Sequence, residues 1–542
     1  MSKEVFIRKA TGLTRPFGMY DTFIIAFGAI NLGSGTLLVY SSSLAFAPGF
    51  NYALSFFIAM LLNLFVVLTY SQITVAMPRS GGDYVFVSRT LNPAIGFANN
   101  FFWTVVSILG IAWNCLFMAG VAVTSSLTVG GTVLKSDYLT SLGTLANQPI
   151  WTFAIGVITM LFIMVLMIVQ VKWLKIVNLI TFILGMITVL AWVIVLGITP
   201  QSTFINYFNS FAQSYTNNPN SYQMIIDSAK QNGMNLAVDW NTVWAATIIT
   251  LPMSYFTMGG ANIVNFFSGE IKEVSRTAVY ATVGALIGVW FFDTLIGVAL
   301  FNSTGYEFMS ALSYLAFNVS SSYPLPIAPY LPLIVDIAAP NIGMVILTLV
   351  GMISWLYLLA MSYYLIATRN LFAWSYDGVI STWFSETHKK YHTPVRSVLA
   401  ITVIGVFGIA VYTLIFPVAF SYSNFTTGYN TAWFFACLTA TVFPFIKKDT
   451  FEAQPAYVKK RIAGVPVMTI LGILGAISVI WMDYEVIINP SYAGIPVALS
   501  NISLMILAAI FVIGLIFFFV AKAIQKSRGL DLSLVFKEIP PS

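Results

Sequence analysis

The sequence predicts an all-α polytopic membrane protein, and three observations carry that prediction. Of the 542 residues, 58% are hydrophobic and only 8% are charged, roughly a third of the charged share in an average soluble chain. Apolar runs of about 20 residues, each long enough to cross a bilayer as a helix, recur from end to end. The basic residues, finally, divide unequally between the two sides of the predicted topology.

The runs read as about twelve transmembrane helices, near residues 19–47, 53–77, 93–130, 150–169, 172–198, 241–269, 278–302, 341–374, 396–416, 428–446, 465–487 and 498–524. With the N-terminus inside and the helices alternating, only Lys135 and Lys230 of the 25 Lys and Arg residues fall outside. That asymmetry follows the positive-inside rule. It places both termini, 1–18 and 525–542, in the cytoplasm, and the expected location is the cell membrane. No apolar stretch with a small-residue cleavage site follows the charged start Met1–Lys9, so no signal peptide is expected.

The remaining composition excludes several classes. The net charge of +6 belongs to the inner loops, so no nucleic-acid partner is expected. Cys115 and Cys437 both fall inside predicted spans and imply no disulfide framework. His388 and His392 lie beside Lys389 and Lys390 in an inner loop and read as solvated. No phosphate-cradling Gly-x-x-x-x-Gly-Lys-Ser/Thr is present, and no His/Cys cluster suggests a metal. No cofactor is expected, and no clustered acid, base and nucleophile suggests an enzyme. Two outer segments, 199–240 and 303–340, are too long for bare loops and are expected to fold over the outer face as a cap. The sequons at Asn302, Asn318, Asn424 and Asn501 lie in or next to outer segments; chance and glycosylation both explain them.

Two spans are interrupted by glycine: Phe27-Gly28-Ala29-Ile30-Asn31-Leu32-Gly33-Ser34-Gly35-Thr36 and Tyr255-Phe256-Thr257-Met258-Gly259-Gly260-Ala261-Asn262. Inside a bilayer, free backbone N–H and C=O groups are tolerated only where they face a cavity or a ligand. A matched pair of breaks points to a transport site. The alternative is that the glycines only let helices pack closely.

The first inner loop reads Pro78-Arg79-Ser80-Gly81-Gly82-Asp83-Tyr84. It resembles the Pro-x-Ser-Gly-Gly-x-Tyr signature of the amino acid–polyamine–organocation superfamily, the amino-acid permeases. Gly33-Ser34-Gly35 is similar to that family's break in helix one. Ser268-Gly269-Glu270-Ile271-Lys272-Glu273 is similar to its end of helix six. Thr368-Arg369-Asn370-Leu371-Phe372-Ala373-Trp374, followed by His392-Thr393-Pro394, is similar to its end of helix eight.

The resemblance implies a leucine-transporter-type fold, in which two five-helix repeats (19–198 and 241–446) have inverted topology and helices one and six are broken. Two peripheral helices, 465–524, follow. It also implies secondary active transport of an amino acid by alternating access, by proton symport, sodium symport or exchange. A polyamine carrier and a non-transporting nutrient sensor are the rival readings.

An amino acid must bring a carboxylate and an ammonium into the bilayer. N–H groups at a half-helix start suit the carboxylate, and unwound carbonyls suit the ammonium. The expected site is therefore the backbone of Ser34, Gly35 and Thr36 for the carboxylate, beside Gly33 in the first break, with carbonyls near Ala29, Ile30 and Phe256 for the ammonium. Gly259 and Gly260 belong to the second break. Phe256 matches the position of an aromatic gate in the family, and Asn114 could add a polar contact or pair with a neighbouring helix.

The coupling candidates are Asp293, a carboxyl at membrane depth, and Ser362, a hydroxyl on helix eight. Two departures from the family bear on coupling. Asn262 stands where an acid is common, and Gly185 lies near the place of a helix-five lysine found in some proton-coupled members.

Overall fold

The computed structural model describes residues 15–30, 32–169, 171–388, 391, 393–415, 425–490 and 497–537, without the side chains of 34, 36, 425, 426 and 497–499. It is an all-α polytopic membrane protein. Ten of its described helices are long and apolar enough to cross a membrane: Tyr52–Ala76, Pro93–Leu134, Pro149–Ile168, Val171–Ile198, Val274–Thr304, Ile342–Tyr376, Val395–Ile415, Thr427–Ile446, Val467–Ile488 and Ser500–Ser527. Two further segments add to these. The first is helical over Met19–Ile30 and Leu32–Leu38; Asn31, where a break is expected from the sequence, lies outside the described residues. The second is Trp240–Thr257 followed by the 3-10 segment Ala261–Glu270.

The helices sort their faces by solvent. On Val171–Ile198 the exposed residues Ile180, Ile183, Ile187, Leu190 and Ile194 recur every three or four positions, one stripe of a helix turned to lipid. Its opposite side buries Gly185, Thr188, Val189 and Trp192. Lipid gives no hydrophobic reward for helix association, so close backbone approach through small residues matters more. Gly472 and Gly475 provide it for Val467–Ile488. A Cβ on Gly472 would lie 2.7 Å from the Cys437 carbonyl, and one on Gly475 would lie 2.8 Å from the Cys437 sulfur. Cys115 and Cys437 are both buried and free.

One end of the bundle, the loop face, gathers the signature loop and the ends of the interrupted and 342–376 segments. Gly81 N–H donates to Phe266 O at 2.9 Å, and Ser268 Oγ donates to the Arg79 carbonyl at 3.1 Å. Gly81 and Gly82 have φ of 99° and 54°, a backbone that side chains resist. Arg89 pairs with Asp377 and lies between the rings of Tyr84 and Phe536. The Leu532–Val535 turn thereby docks on this face, with Leu532 buried.

The opposite end is roofed by four short helices, Gln201–Thr216, Ser221–Gln231, Tyr306–Asn318 and Leu331–Ala338. The expected cap is thus more helical than the sequence suggested, because Phe204, Phe208, Tyr222 and Phe308 bury their rings against one another. Asn318 Nδ2 donates to Ala45 O at 2.7 Å, so that sequon's amide serves a helix contact. Asn424 lies outside the described residues.

Asp21 caps Gly18 N–H at 2.9 Å and pairs with Lys175 at 2.7 Å, a structural role at the start of the first helix. A short antiparallel pair, Arg461–Ile462 with Val465–Pro466, is the strand structure among the described residues.

Candidate functional site

The two glycine-rich segments meet. A Cβ on Gly35 would lie 3.0 Å from Thr257 Cβ, and one on Gly260 would lie 2.4 Å from the Ala29 carbonyl oxygen. Gly260 has φ of 121°, which is tolerated by glycine alone at little strain. Met258-Gly259-Gly260 leaves helical geometry between Thr257 and Ala261.

A small chamber lies at this junction. Ala29, Ile30, Gly35, Phe256, Thr257 and Gly259 line it from the two glycine-rich segments, and Gly110, Trp113, Leu359, Tyr363 and Tyr429 complete it. No charged side chain is in that lining. A second, smaller chamber shares Ala29, Leu359, Tyr363 and Tyr429 with the first. Its own walls include Trp103, Gly260, Asn262, Ile263, Ser362, Ile366 and Trp433.

Tyr429 is the partition. Its ring stacks on Phe256 at 5.3 Å and on Trp433 at 5.6 Å, and meets Trp103 edge-on at 4.8 Å. Phe256 and Trp113 are partly exposed, whereas Trp103 and Trp433 are 3% and 1% exposed. The first chamber is therefore the more open of the two.

Below the second chamber the loop face is sealed. Arg369 Nε donates to Glu270 Oε1 at 2.6 Å and Arg369 Nη2 donates to Glu270 Oε2 at 2.9 Å. Both side chains are almost wholly buried. Phe17 is fully buried against Phe267 at 5.2 Å; its N–H donates to Glu270 O and its carbonyl accepts from Lys272 N–H.

These features are two glycine-rich segments, the second of which leaves helical geometry, a chamber where they meet and a buried ion pair at one end. A family model described as amino acid permease matches residues 17–518. The chain belongs to the amino acid permease family. It is also similar to the branched-chain amino acid permease BcaP of Bacillus subtilis (strain 168), with 22% identity over 411 residues, 70% of this chain and 71% of the relative. Membership makes it a multi-pass membrane transporter of amino acids rather than an enzyme.

The permease fold brings Ala29, Ile30, Gly35, Phe256 and Gly259 to the first chamber, and Gly260 and Ser362 to the second. The side chains of Ser34 and Thr36 lie outside the described residues. Gly33 lies elsewhere: a Cβ there would come within 2.6 Å of Trp355 Cβ, so its glycine serves close packing. Asn114 is outside both linings as well. Its Nδ2 donates to Gly110 O at 2.7 Å, within its own helix. The Ser362 hydroxyl donates to Leu358 O at 2.8 Å.

Trp355 explains one departure from the family. A Cβ on Gly185 would lie 2.8 Å from the Trp355 indole. That ring also stacks on Phe27 at 5.8 Å. The space beside Gly185, where the resemblance placed a possible helix-five lysine, is thus filled by an indole.

Asp293 is fully buried in Val274–Thr304, with neither carboxyl oxygen hydrogen-bonded. No ion pair with it occurs among the described residues. Tyr40 Oη donates to its backbone carbonyl at 2.5 Å, not to the carboxyl. In the signature loop, Asp83 accepts from Asn100 Nδ2 at 2.7 Å and from Asn99 Nδ2 at 3.4 Å. Burial pushes its carboxyl up to about 7, against the downward pull of Asn100 and the local backbone N–H groups.

Sequence reasoning missed Trp103, Gly110, Trp113, Thr257, Leu359, Tyr363, Tyr429 and Trp433. The chain has 44 Phe, 26 Tyr and 13 Trp, so no single aromatic stands out before the helices are packed.

Proposed function

We propose that this permease is a secondary active transporter of neutral amino acids with apolar side chains, working by alternating access. The observation that carries this reading is the first chamber: it lies where the two glycine-rich segments meet, and its lining holds no charged side chain. A zwitterion is then neutralised by backbone. The N–H groups of Ser34, Gly35 and Thr36 receive the carboxylate, and carbonyls near Ala29, Ile30 and Phe256 receive the ammonium. The apolar and aromatic walls suit an aliphatic side chain. The name of the similar branched-chain amino acid permease agrees with that choice.

The helices carrying the breaks belong to two inverted repeats, 19–198 and 241–446. They move against the rest to open the site to each side in turn. The termini are cytoplasmic and the membrane is the plasma membrane, as the distribution of Lys and Arg supports. Protons drive uptake, with Asp293 as their carrier. Asp293 is a buried carboxyl with no hydrogen-bond partner among the described residues, and ionisable side chains at membrane depth commonly mark ion or proton paths.

Uptake of labelled L-leucine into proteoliposomes, with pH and sodium gradients imposed separately, tests the reading. Accumulation driven by inward acid supports it. Uptake of polyamines in place of amino acids, or binding without flux, overturns it in favour of a cation carrier or a sensor. Gly35→Leu should abolish binding while the protein stays folded.

A further inference from the structure

The signature loop has no task in the scheme above, yet it lies on the divide between a moving segment and the rest of the bundle. On one side it touches Ala261–Glu270. Gly81 N–H donates to Phe266 O at 2.9 Å, and Ser268 Oγ donates to Arg79 O at 3.1 Å. A Cβ on Gly82 would lie 2.8 Å from the Phe266 ring, so the loop backbone itself makes this close contact. On the other side stands Asp83, fully buried. Its Oδ1 accepts from Asn100 Nδ2 at 2.7 Å, and Asn99 Nδ2 reaches its Oδ2 at 3.4 Å. Both asparagines are fully buried near the start of the Pro93–Leu134 helix.

The two amides extend the tie. Asn100 Oδ1 accepts from Trp374 Nε1 at 2.7 Å, near the end of the Ile342–Tyr376 helix. Asn99 Nδ2 also reaches Ala432 O at 3.4 Å, on the helix that carries Tyr429 and Trp433. One carboxyl thus joins the loop to three helices, none of which carries a glycine-rich break. The two sides of the loop are unequal. Parting it from the Pro93–Leu134 helix strands a buried carboxyl without its donors, which is the costlier loss. Parting it from Ala261–Glu270 frees neutral groups that water takes up as the face opens.

We propose that Asp83 is a positioning residue for transport: through Asn99 and Asn100 it anchors the signature loop to the bundle, and the anchored loop is the stop against which Ala261–Glu270 closes the loop face. This rests on the amino-acid-transport reading and adds to it the part that stays still. Asp83 lines neither chamber, so it acts on closure and not on the substrate. Glu270, at the end of the closing segment, is latched to Arg369, and the stop sets where that latch forms.

Exchanging two side chains tests the anchor. Asp83→Asn sets amide against amide, and Asn100→Asp sets acid against acid, so each loses the bond between them. Asp83→Asn combined with Asn100→Asp restores it in reverse: the amide donates from position 83, the carboxyl accepts at position 100, and an oxygen still faces Trp374. Equilibrium binding of labelled L-leucine to purified protein reads the site. Efflux of preloaded L-leucine from proteoliposomes, with none outside, reads closure. The expected dissociation constant stays within about threefold of wild type in all three variants. Efflux rises about tenfold or more in each single variant, the loss of one hydrogen bond to a charged group, and returns to within about twofold of wild type in the exchanged pair. Wild-type efflux in both single variants overturns the anchor. So does leakage that the exchange fails to cure, because the bond is then not its cause. Single variants that lose binding and melt at lower temperature, beside an exchanged pair of wild-type behaviour, also overturn it, since the bond then serves the fold. Wild-type protein that binds L-leucine but moves none overturns the transport reading itself, a distinct outcome, and the anchor falls with it.

Discussion

Glu270 and Arg369 form a two-point ion pair, at 2.6 and 2.9 Å, between the second interrupted segment and the Ile342–Tyr376 helix. Both partners are buried, so the pair acts as a latch between two elements that must part if the loop face is to open. Removing one partner of a buried pair leaves an uncompensated charge, at a cost of about 3–5 kcal/mol. Arg369→Ala is therefore expected to lower the melting temperature strongly. Glu270→Gln should do so less, because the amide oxygen still accepts from the guanidinium. Replacing both, as Glu270→Gln with Arg369→Gln, should recover much of the stability but leave the loop face leaky. Thermal melts and counterflow of preloaded amino acid check this. Equal stability of all three variants would remove the latch.

Asp293 is expected to matter for driving force and not for binding. Asp293→Asn keeps the size of a protonated carboxyl. L-leucine binding should stay within about twofold of wild type, while concentrative uptake under an inward proton gradient falls to the level of passive equilibration. Exchange of internal for external amino acid should persist. Unchanged proton-driven accumulation in this variant would rule out Asp293 as the carrier.

Asp83 links the signature loop to pH. Burial pushes its carboxyl in the folded protein up to about 7, above the ordinary 3.8. A proton bound there therefore stabilises the fold at low pH, and that contribution is lost as pH rises through about 7. Asp336, in the cap, is likewise pushed by burial up to about 7, so the two act in the same window. The melting temperature of detergent-solubilised protein should fall between pH 5 and pH 8. Asp83→Asn should flatten that decline in part, and the double variant with Asp336→Asn should flatten it further. A steeper decline in Asp83→Asn would contradict this account.

How far the site could be read beforehand depended on the kind of residue. Glycine interruptions are visible in a string, because Gly35 and Gly260 break an otherwise apolar run, and both line a chamber. Gly33 looks the same in the string but answers to Trp355, more than three hundred positions away. Asn114 carries a polar group at a plausible depth, yet its amide turns back onto Gly110. Neither outcome has a local signature, since each depends on which helix arrives opposite.

The sequence by itself determined that this chain crosses a membrane many times, where its spans lie, that two of them carry glycine clusters, and which family's signature its first loop resembles. Those properties are local: hydropathy, periodicity and glycine content act over a single helix. Only the tertiary structure decided that Tyr429 divides the cavity in two. It likewise decided that Trp355 fills the space beside Gly185, and that Trp103, Asn262 and Trp433 line one chamber. Inside a bilayer, aromatic rings are equally at home against lipid or protein. Their hydropathy therefore carries no record of which neighbour they meet, and packing alone makes that choice.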